Sequence, residues 1–239
     1  MKNVYAGDKF EFNIDGAKHV LSIYQDDDSV SPREYHHRNH MYCFHHHYDL
    51  GDAHCYEDIE DAIVDAIEAS SIKGSRAVKL KSILNDESRS RKDRHKLIID
   101  KLNMSGNMVI KYLYLYDHSG ITISTSDFND PWDSGIVGII YTTKQETLNE
   151  SVIADEVNWS KVASDLIEED VELYDQWLTG DVYGFELKKL NECPCCKAIS
   201  EEEVESMGSF YGTDIFSNGM LEYLPKEIVD YFEEENKNA

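Results

Sequence analysis

The chain has 239 residues and a formal net charge of −24, because 47 Asp and Glu outnumber 23 Lys and Arg. This excess of acid excludes a generally basic nucleic-acid binder and a protein attracted to anionic membrane surfaces. Hydrophobic residues make up 41% of the chain and aromatic residues 11%, which is too much for a disordered acidic chain. We therefore expect a folded protein of one ordinary domain or two small ones.

The N-terminal segment 1–72 is predicted to contain a hairpin, a His-rich loop and an acidic helix. Apolar and polar residues alternate over 10–14, and the turn signal Asp15-Gly16 follows. The helix is predicted over 56–69, where apolar residues recur at a spacing of three to four.

Segment 73–104 is predicted to be a basic helical segment. Residues 73–101 contain 10 bases and 4 acids, a net charge of +6, and short helices are predicted over 76–84 and 89–102. A pair of helices of this kind could contact the phosphates of DNA, or its cations could pair with the protein's own acids. The candidate DNA-binding residues are Lys73, Arg76, Lys79, Lys81, Arg89, Arg91, Lys92, Arg94 and Lys96.

Segment 105–206 is predicted to be an α+β region. Strands are predicted over 108–116, 121–126, 136–143 and 182–187, and a long helix over 152–178. The last segment, 207–239, is predicted to be an acidic, partly flexible tail with a short helix over 228–235. Together these elements predict an α+β fold with a small antiparallel sheet, one long acidic helix and a basic helical segment.

The long helix carries most of the acidic signal. Residues 145–206 contain 17 acids and 4 bases, a net charge of −13. Over 155–172, which would span ~27 Å as a helix, there is about one net charge per 4–5 Å, close to the charge spacing of a DNA strand. This pattern is typical of a solvated face or of a surface that imitates nucleic acid. The candidate partner-binding residues are Asp155, Glu156, Asp165, Glu168, Glu169, Asp170, Glu172 and Asp175.

Catalytic and metal-binding motifs are weak. Seven His lie over 36–54 near Cys43 and Cys55, but their spacing matches no standard zinc finger. Cys193-Pro194-Cys195-Cys196 resembles half of a zinc knuckle. Asp117-His118-Ser119 has the residue types of a catalytic triad, but neighbours on a strand face opposite sides and cannot form one. We predict a protein that is not an enzyme and that has no cofactor and no metal site, with a His/Cys metal-dependent hydrolase as an alternative.

The five Cys form an odd, uneven set, there is no stretch of ~20 apolar residues, and the first residues lack the apolar run of a signal peptide. We therefore expect reduced thiols, a cytoplasmic location and no membrane partner.

Three segments resemble a family of small phage and prophage proteins: YLYDHSGITISTS at 114–126, PWDSG at 131–135 and YDQWLTGDVYG at 174–184. The length and charge layout are also similar to those of the acidic host-takeover proteins of large lytic Bacillus phages, which inhibit host RNA polymerase by DNA mimicry. The resemblance implies a phage protein in the host cell cytoplasm whose partners are the β and β′ subunits lining the DNA channel. It supplies no residue roles.

Charge and resemblance together predict an inhibitor of host RNA polymerase whose acidic surface occupies the DNA-binding channel. The basic segment would tether it to double-stranded DNA. The alternative target is a host defence nuclease of the restriction or CRISPR type.

Overall fold

The computed structural model describes residues 3–35 and 38–238 and divides the chain into two compact units. We call Met1–Ser31 with Gln176–Ala239 the terminal unit and Pro32–Asp175 the central unit. The four predicted segments do not coincide with these units, because strands from both ends of the chain pair in one sheet. His36 and His37 of the predicted His-rich loop lie outside the described residues.

The described residues form eight strands and six α-helices, which confirms an α+β fold. The strands are β1 (Lys9–Ile14), β2 (Ala17–Gln25), β3 (His40–Cys43), β4 (Met108–Asp117), β5 (Ile121–Ser124), β6 (Ser134–Thr143), β7 (Val182–Glu192) and β8 (Ile199–Tyr211). The helices are α1 (Ile59–Ala69), α2 (Ser75–Leu84), α3 (Arg91–Asn103), α4 (Lys144–Glu150), α5 (Trp159–Leu178) and α6 (Lys226–Asn238). None of these helices is long and apolar enough to cross a membrane.

The terminal unit is an antiparallel sheet of order β1-β2-β7-β8. Its core contains Phe185 from β7 together with Ile228 and Phe232 from α6, all fully buried. Phe232 also meets Phe10 of β1 edge to face, with ring centroids 5.1 Å apart. Helix α6 contains the helix that was predicted over 228–235 of the C-terminal tail, and its apolar face completes this core.

The central unit holds a second antiparallel sheet, of order β3-β6-β4-β5, and the two helices of the basic segment. Ile63 of α1 and Ile98 of α3 are fully buried with Ile110 and Ile139 of the sheet in one core. The predicted basic helices are confirmed to within two residues of their ends, and they bury Leu80 of α2 and Ile98, Ile99 and Leu102 of α3.

Helix α5 begins at Trp159, seven residues later than the pattern predicted. The chain before it is held in a cap, in which Asp155 Oδ1 accepts hydrogen bonds from the backbone N–H groups of Val157 and Asn158, both at 2.8 Å. Asn158 Oδ1 in turn accepts from the N–H of Asp155 at 2.7 Å. Such reciprocal capping satisfies backbone donors at a helix start and fixes the first turn.

Candidate functional site

An exposed row of four carboxylates runs along α5 in the central unit. Its members are Asp165, Glu168, Glu169 and Glu172, which we call the acidic stripe. Their spacing of i, i+3, i+4 and i+7 places them on one face of the helix. The opposite face is buried through residues such as Trp159, Ile167 and Val171, so that the stripe is presented on a helix held by core packing.

Three members of the acidic stripe have cationic neighbours. Lys111 Nζ lies 2.6 Å from Glu168 Oε1, and Arg38 Nη1 lies 3.9 Å from Glu169 Oε2. Asp165 pairs with Lys161 one turn before it. Glu172 is exposed and forms no ion pair with any residue that the structure describes.

The Glu168 carboxylate has the most local support in the stripe. Burial alone would raise its pKa, but hydrogen bonds from the Lys111 ammonium and the Thr125 hydroxyl outweigh this and hold the pKa below its usual value. Glu168 is therefore a charged group that also ties α5 to its neighbours. A substitution there changes structure as well as surface charge.

Asp170 does not belong to the surface, so its prediction as a partner-binding residue is wrong. Its side chain is 1% exposed, and Asp170 Oδ2 accepts a hydrogen bond of 2.7 Å from Asn39 Nδ2. Arg33 Nη1 lies 3.5 Å from Oδ2 and Arg38 Nη2 lies 3.3 Å from Oδ1. A buried carboxylate needs such partners, because removing a charge from water is costly unless it is paired and hydrogen-bonded.

Asp175 likewise has a structural role. Its Oδ1 atom accepts hydrogen bonds from Thr122 Oγ1 at 2.6 Å and from the backbone N–H of Ile123 at 2.7 Å. These bonds fasten α5 to strand β5 within the central unit. The half-buried position of Asp175 leaves it only partly available to a partner.

The two remaining predicted acids, Asp155 and Glu156, precede the helix. Hydrogen bonds from the backbone N–H groups of Asn158 and Val157 lower the pKa of Asp155, and Glu156 Oε2 lies 2.6 Å from Lys144 Nζ. The predicted helical acid run over 155–172 is therefore shorter than expected. The acidic stripe itself covers about 10 Å at 1.5 Å per residue.

The basic segment is divided between paired and unpaired cations. Five of the nine predicted DNA-binding residues form ion pairs with the protein's own acids: Lys81, Arg89, Arg91, Arg94 and Lys96. The other four form no ion pair within 3–35 and 38–238: Lys73, Arg76, Lys79 and Lys92. Internal pairing therefore accounts for five of these cations, and contact of the other four with DNA stays a prediction.

A groove on α2 and α3 collects unpaired cations, and we call it the basic groove. It has a volume of about 310 Å³ and contains Arg76, Lys79 and Lys101, with apolar walls that include Leu80 and the exposed Met104. No carboxylate lines it. Lys101 was not among the predicted residues, because its place beside Arg76 and Lys79 depends on how α3 packs against α2.

Two of the His residues, His40 and His54, have structural contacts in the central unit. His40 Nε2 lies 3.0 Å from Glu146 Oε1, and the His54 ring, which stacks on Tyr56, has Nε2 2.9 Å from the Cys43 carbonyl oxygen. No group of three or more His, Cys, Asp or Glu is placed to hold a metal ion in the described part of the chain.

Comparisons with known proteins add no relative. The chain matches no family model, no curated protein and no solved structure. Two surfaces of the central unit, the acidic stripe and the basic groove, are therefore the candidate binding sites. The acidic stripe and the basic groove have opposite charge, and each keeps charge that the protein's own residues do not fully neutralise.

Proposed function

We propose that this protein is a non-catalytic inhibitor that binds host RNA polymerase and occupies its DNA channel by charge complementarity. The β and β′ subunits that line the channel would be its partners. The proposal rests on the resemblance to phage host-takeover proteins and on the net charge of −24. It also rests on the acidic stripe, which is the surface that would meet the cations of the channel.

The acidic stripe is the observation that carries this proposal. Its four carboxylates lie on a helix whose opposite face is buried, so that binding would not require the helix to fold first. Ordering a segment on binding costs free energy that a preformed surface avoids. Cations of the channel would replace the exposed Lys161 as a neighbour of the stripe, and an exposed pair of this kind contributes only about 0–1 kcal/mol.

The basic groove supports a second contact, with double-stranded DNA. Arg76, Lys79 and Lys101 each could neutralise a phosphate, and no internal carboxylate competes for them among the described residues. Contacts to phosphate are independent of sequence and release counterions, so that they weaken steeply as salt increases. A tether of this kind would hold an otherwise anionic protein close to transcribed DNA.

The test of polymerase binding uses Glu169→Lys with Glu172→Lys, because Glu172 forms no ion pair in the described part of the chain and Glu169 has only the 3.9 Å contact with Arg38. The matched control, Glu233→Lys with Glu234→Lys on α6, produces the same change in net charge in the terminal unit. Each purified variant is immobilised and exposed to bacterial lysate at low and then moderate salt. We expect the unmodified protein and the control to retain β and β′ at low salt, and the stripe variant to lose them.

The same experiment can contradict the proposal. Equal loss of β and β′ in both variants would mean that net charge alone, and not the acidic stripe, drives binding. Recovery of a nuclease instead, with transcription in vitro unaffected, would favour a defence nuclease as the target.

The DNA contact is tested separately by fluorescence anisotropy with a labelled duplex. Replacing Arg76, Lys79 and Lys101 by Gln removes the groove cations, and replacing Lys81, Arg89 and Lys96 removes three cations already paired with acids. We expect the groove variant to reduce the magnitude of the slope of log affinity against log salt by about 0.9 per lost phosphate contact. The variant of the paired cations should change this slope little. Equal slopes for the two variants would exclude the groove as the DNA contact.

A further inference from the structure

The β7–β8 hairpin of the terminal unit ends in three thiols. Strand β8 is exposed on both faces from Ile199 to Ser206, so that the outer part of the hairpin is open to solvent. The connecting turn is Cys193-Pro194-Cys195-Cys196, and all its thiols are reduced. Cys195 and Cys196 are exposed and Cys193 is half-buried, which makes the turn accessible even to a large partner.

Backbone hydrogen bonds close this turn around Cys193. The N–H of Lys197 donates to the Cys193 carbonyl oxygen at 2.9 Å, and the N–H of Cys193 donates to the Ala198 carbonyl oxygen at 2.8 Å. Lys197 takes a positive φ of 61°, which lets the chain turn back into β8. Cys193 and Cys196 therefore lie within one closed turn of the hairpin.

The Cys193 sulfur also faces backbone donors. Hydrogen bonds from the N–H groups of Cys196 and then Cys195 favour its thiolate, and with smaller contributions from the two thiols they lower the pKa of Cys193. The adjacent charged groups, Lys197 and Glu192, pair with each other at 2.7 Å. The thiolate is therefore stabilised by the turn itself, which is the environment typical of reactive Cys-x-x-Cys pairs.

We propose that Cys193 and Cys196 form a thiol–disulfide exchange site that reduces accessible disulfides. The Cys193 thiolate attacks one sulfur of a substrate disulfide, which forms a mixed disulfide and releases the first substrate thiolate. Cys196, after losing its proton, attacks the Cys193 sulfur and releases the second substrate thiolate. The protein ends with a Cys193–Cys196 disulfide, the substrate with two thiols after both thiolates take up protons, and two electrons pass to the substrate.

Cys196 is the resolving thiol because of the spacing in the chain. A disulfide between the neighbours Cys195 and Cys196 would join Cα atoms about 3.8 Å apart, below the usual range of about 4.4–6.8 Å. A turn brings its first and fourth Cα atoms within about 7 Å, which suits Cys193 and Cys196.

The test uses the full chain, reduced, freed of reductant and kept without oxygen, with glutathione disulfide as the probe. Products are identified by intact mass and by peptide mapping. We expect the unmodified protein and Cys195→Ser to form a Cys193–Cys196 disulfide and to release two glutathione molecules per chain. Cys196→Ser should stop at a glutathione adduct on Cys193, and Cys193→Ser should react at least tenfold more slowly at this turn.

Several outcomes would overturn the proposal. One is that Cys195→Ser fails to form the disulfide. Another is that glutathione reacts with Cys193 of Cys196→Ser no faster than with the exposed Cys55. A third is purification of the chain with half an equivalent of zinc that blocks both thiols, since the pair would then be half of a metal site shared by two copies. Circular dichroism of each variant, expected to be unchanged, excludes unfolding as the cause of lost reactivity.

Discussion

Replacing Asp170 by Ala should destabilise the central unit far more than any substitution in the acidic stripe. The change removes the carboxylate that Arg33, Arg38 and Asn39 share, and Arg33 is itself 3% exposed at its side chain. Breaking a buried pair costs about 3–5 kcal/mol, because the remaining charge stays buried. Arg33 keeps a second partner in Asp52, whose Oδ1 atom lies 2.7 Å from Arg33 Nη2, so we expect the lower end of this range.

The assay is unfolding in urea followed by circular dichroism at 222 nm, with Asp165→Ala as the control on the same helix. Asp165 pairs only with Lys161, which is 79% exposed, and such pairs contribute about 0.3–0.5 kcal/mol. With a slope of about 2–3 kcal/mol per molar urea, a loss of about 3 kcal/mol lowers the midpoint by about 1–1.5 M. If Asp170→Ala lowers the midpoint no further than Asp165→Ala, the buried network does not hold α5 and our reasoning is wrong.

Two further predictions concern the second sheet and its flanking helix. Gly138→Ala should lower the free energy of unfolding by at least about 1–3 kcal/mol, because a Cβ there would lie 2.0 Å from the carbonyl oxygen of Tyr42. The control is Gly135→Ala on the same strand, where an added Cβ has no neighbour within 4 Å. Thermal unfolding should show a lower midpoint for the first variant only. In His40→Ala, the stability lost should be greatest between about pH 4.5 and 6.5. Hydrogen bonds from His40 and from Thr143 lower the pKa of Glu146 to about 2, so that the part contributed by His40 is lost as pH falls from 4.5 towards 2. The bond to Glu146 raises the pKa of His40 above 6.5, so that this contribution is lost as pH rises through the raised value, and a pH-independent difference would contradict the pairing.

Periodicity in the sequence was sufficient for the elements with one clear apolar side. Helix α1 and strand β4 lie where helical spacing and alternation predicted them. Strand β8 was missed because four Glu between Ile199 and Ser206 have low strand propensity. Backbone pairing with β7, and not side-chain propensity, stabilises its extended conformation. Short elements such as β3 depend on tertiary pairing in the same way.

Charge counts predicted an acidic surface but could not tell which charges would remain free. Asp170 and Glu172 are two residues apart on one helix and have the same chemistry, yet one is buried against two arginines and the other is exposed. The difference arises from Arg33, which is more than a hundred residues away in the chain. No local pattern contains that information.

Whether a charged residue has an internal partner also determines how readily it can bind another molecule. An acid or a base that already has an internal partner must lose that partner before it can bind another molecule, whereas an unpaired exposed charge such as Glu172 or Lys79 loses only water. Partner binding should therefore depend on few residues despite the net charge of −24. It follows that substitutions at Glu172, or at Arg76 and Lys79, should outweigh more numerous changes among the paired charges, because these exposed residues have no ion-pair partner to lose in the described part of the chain.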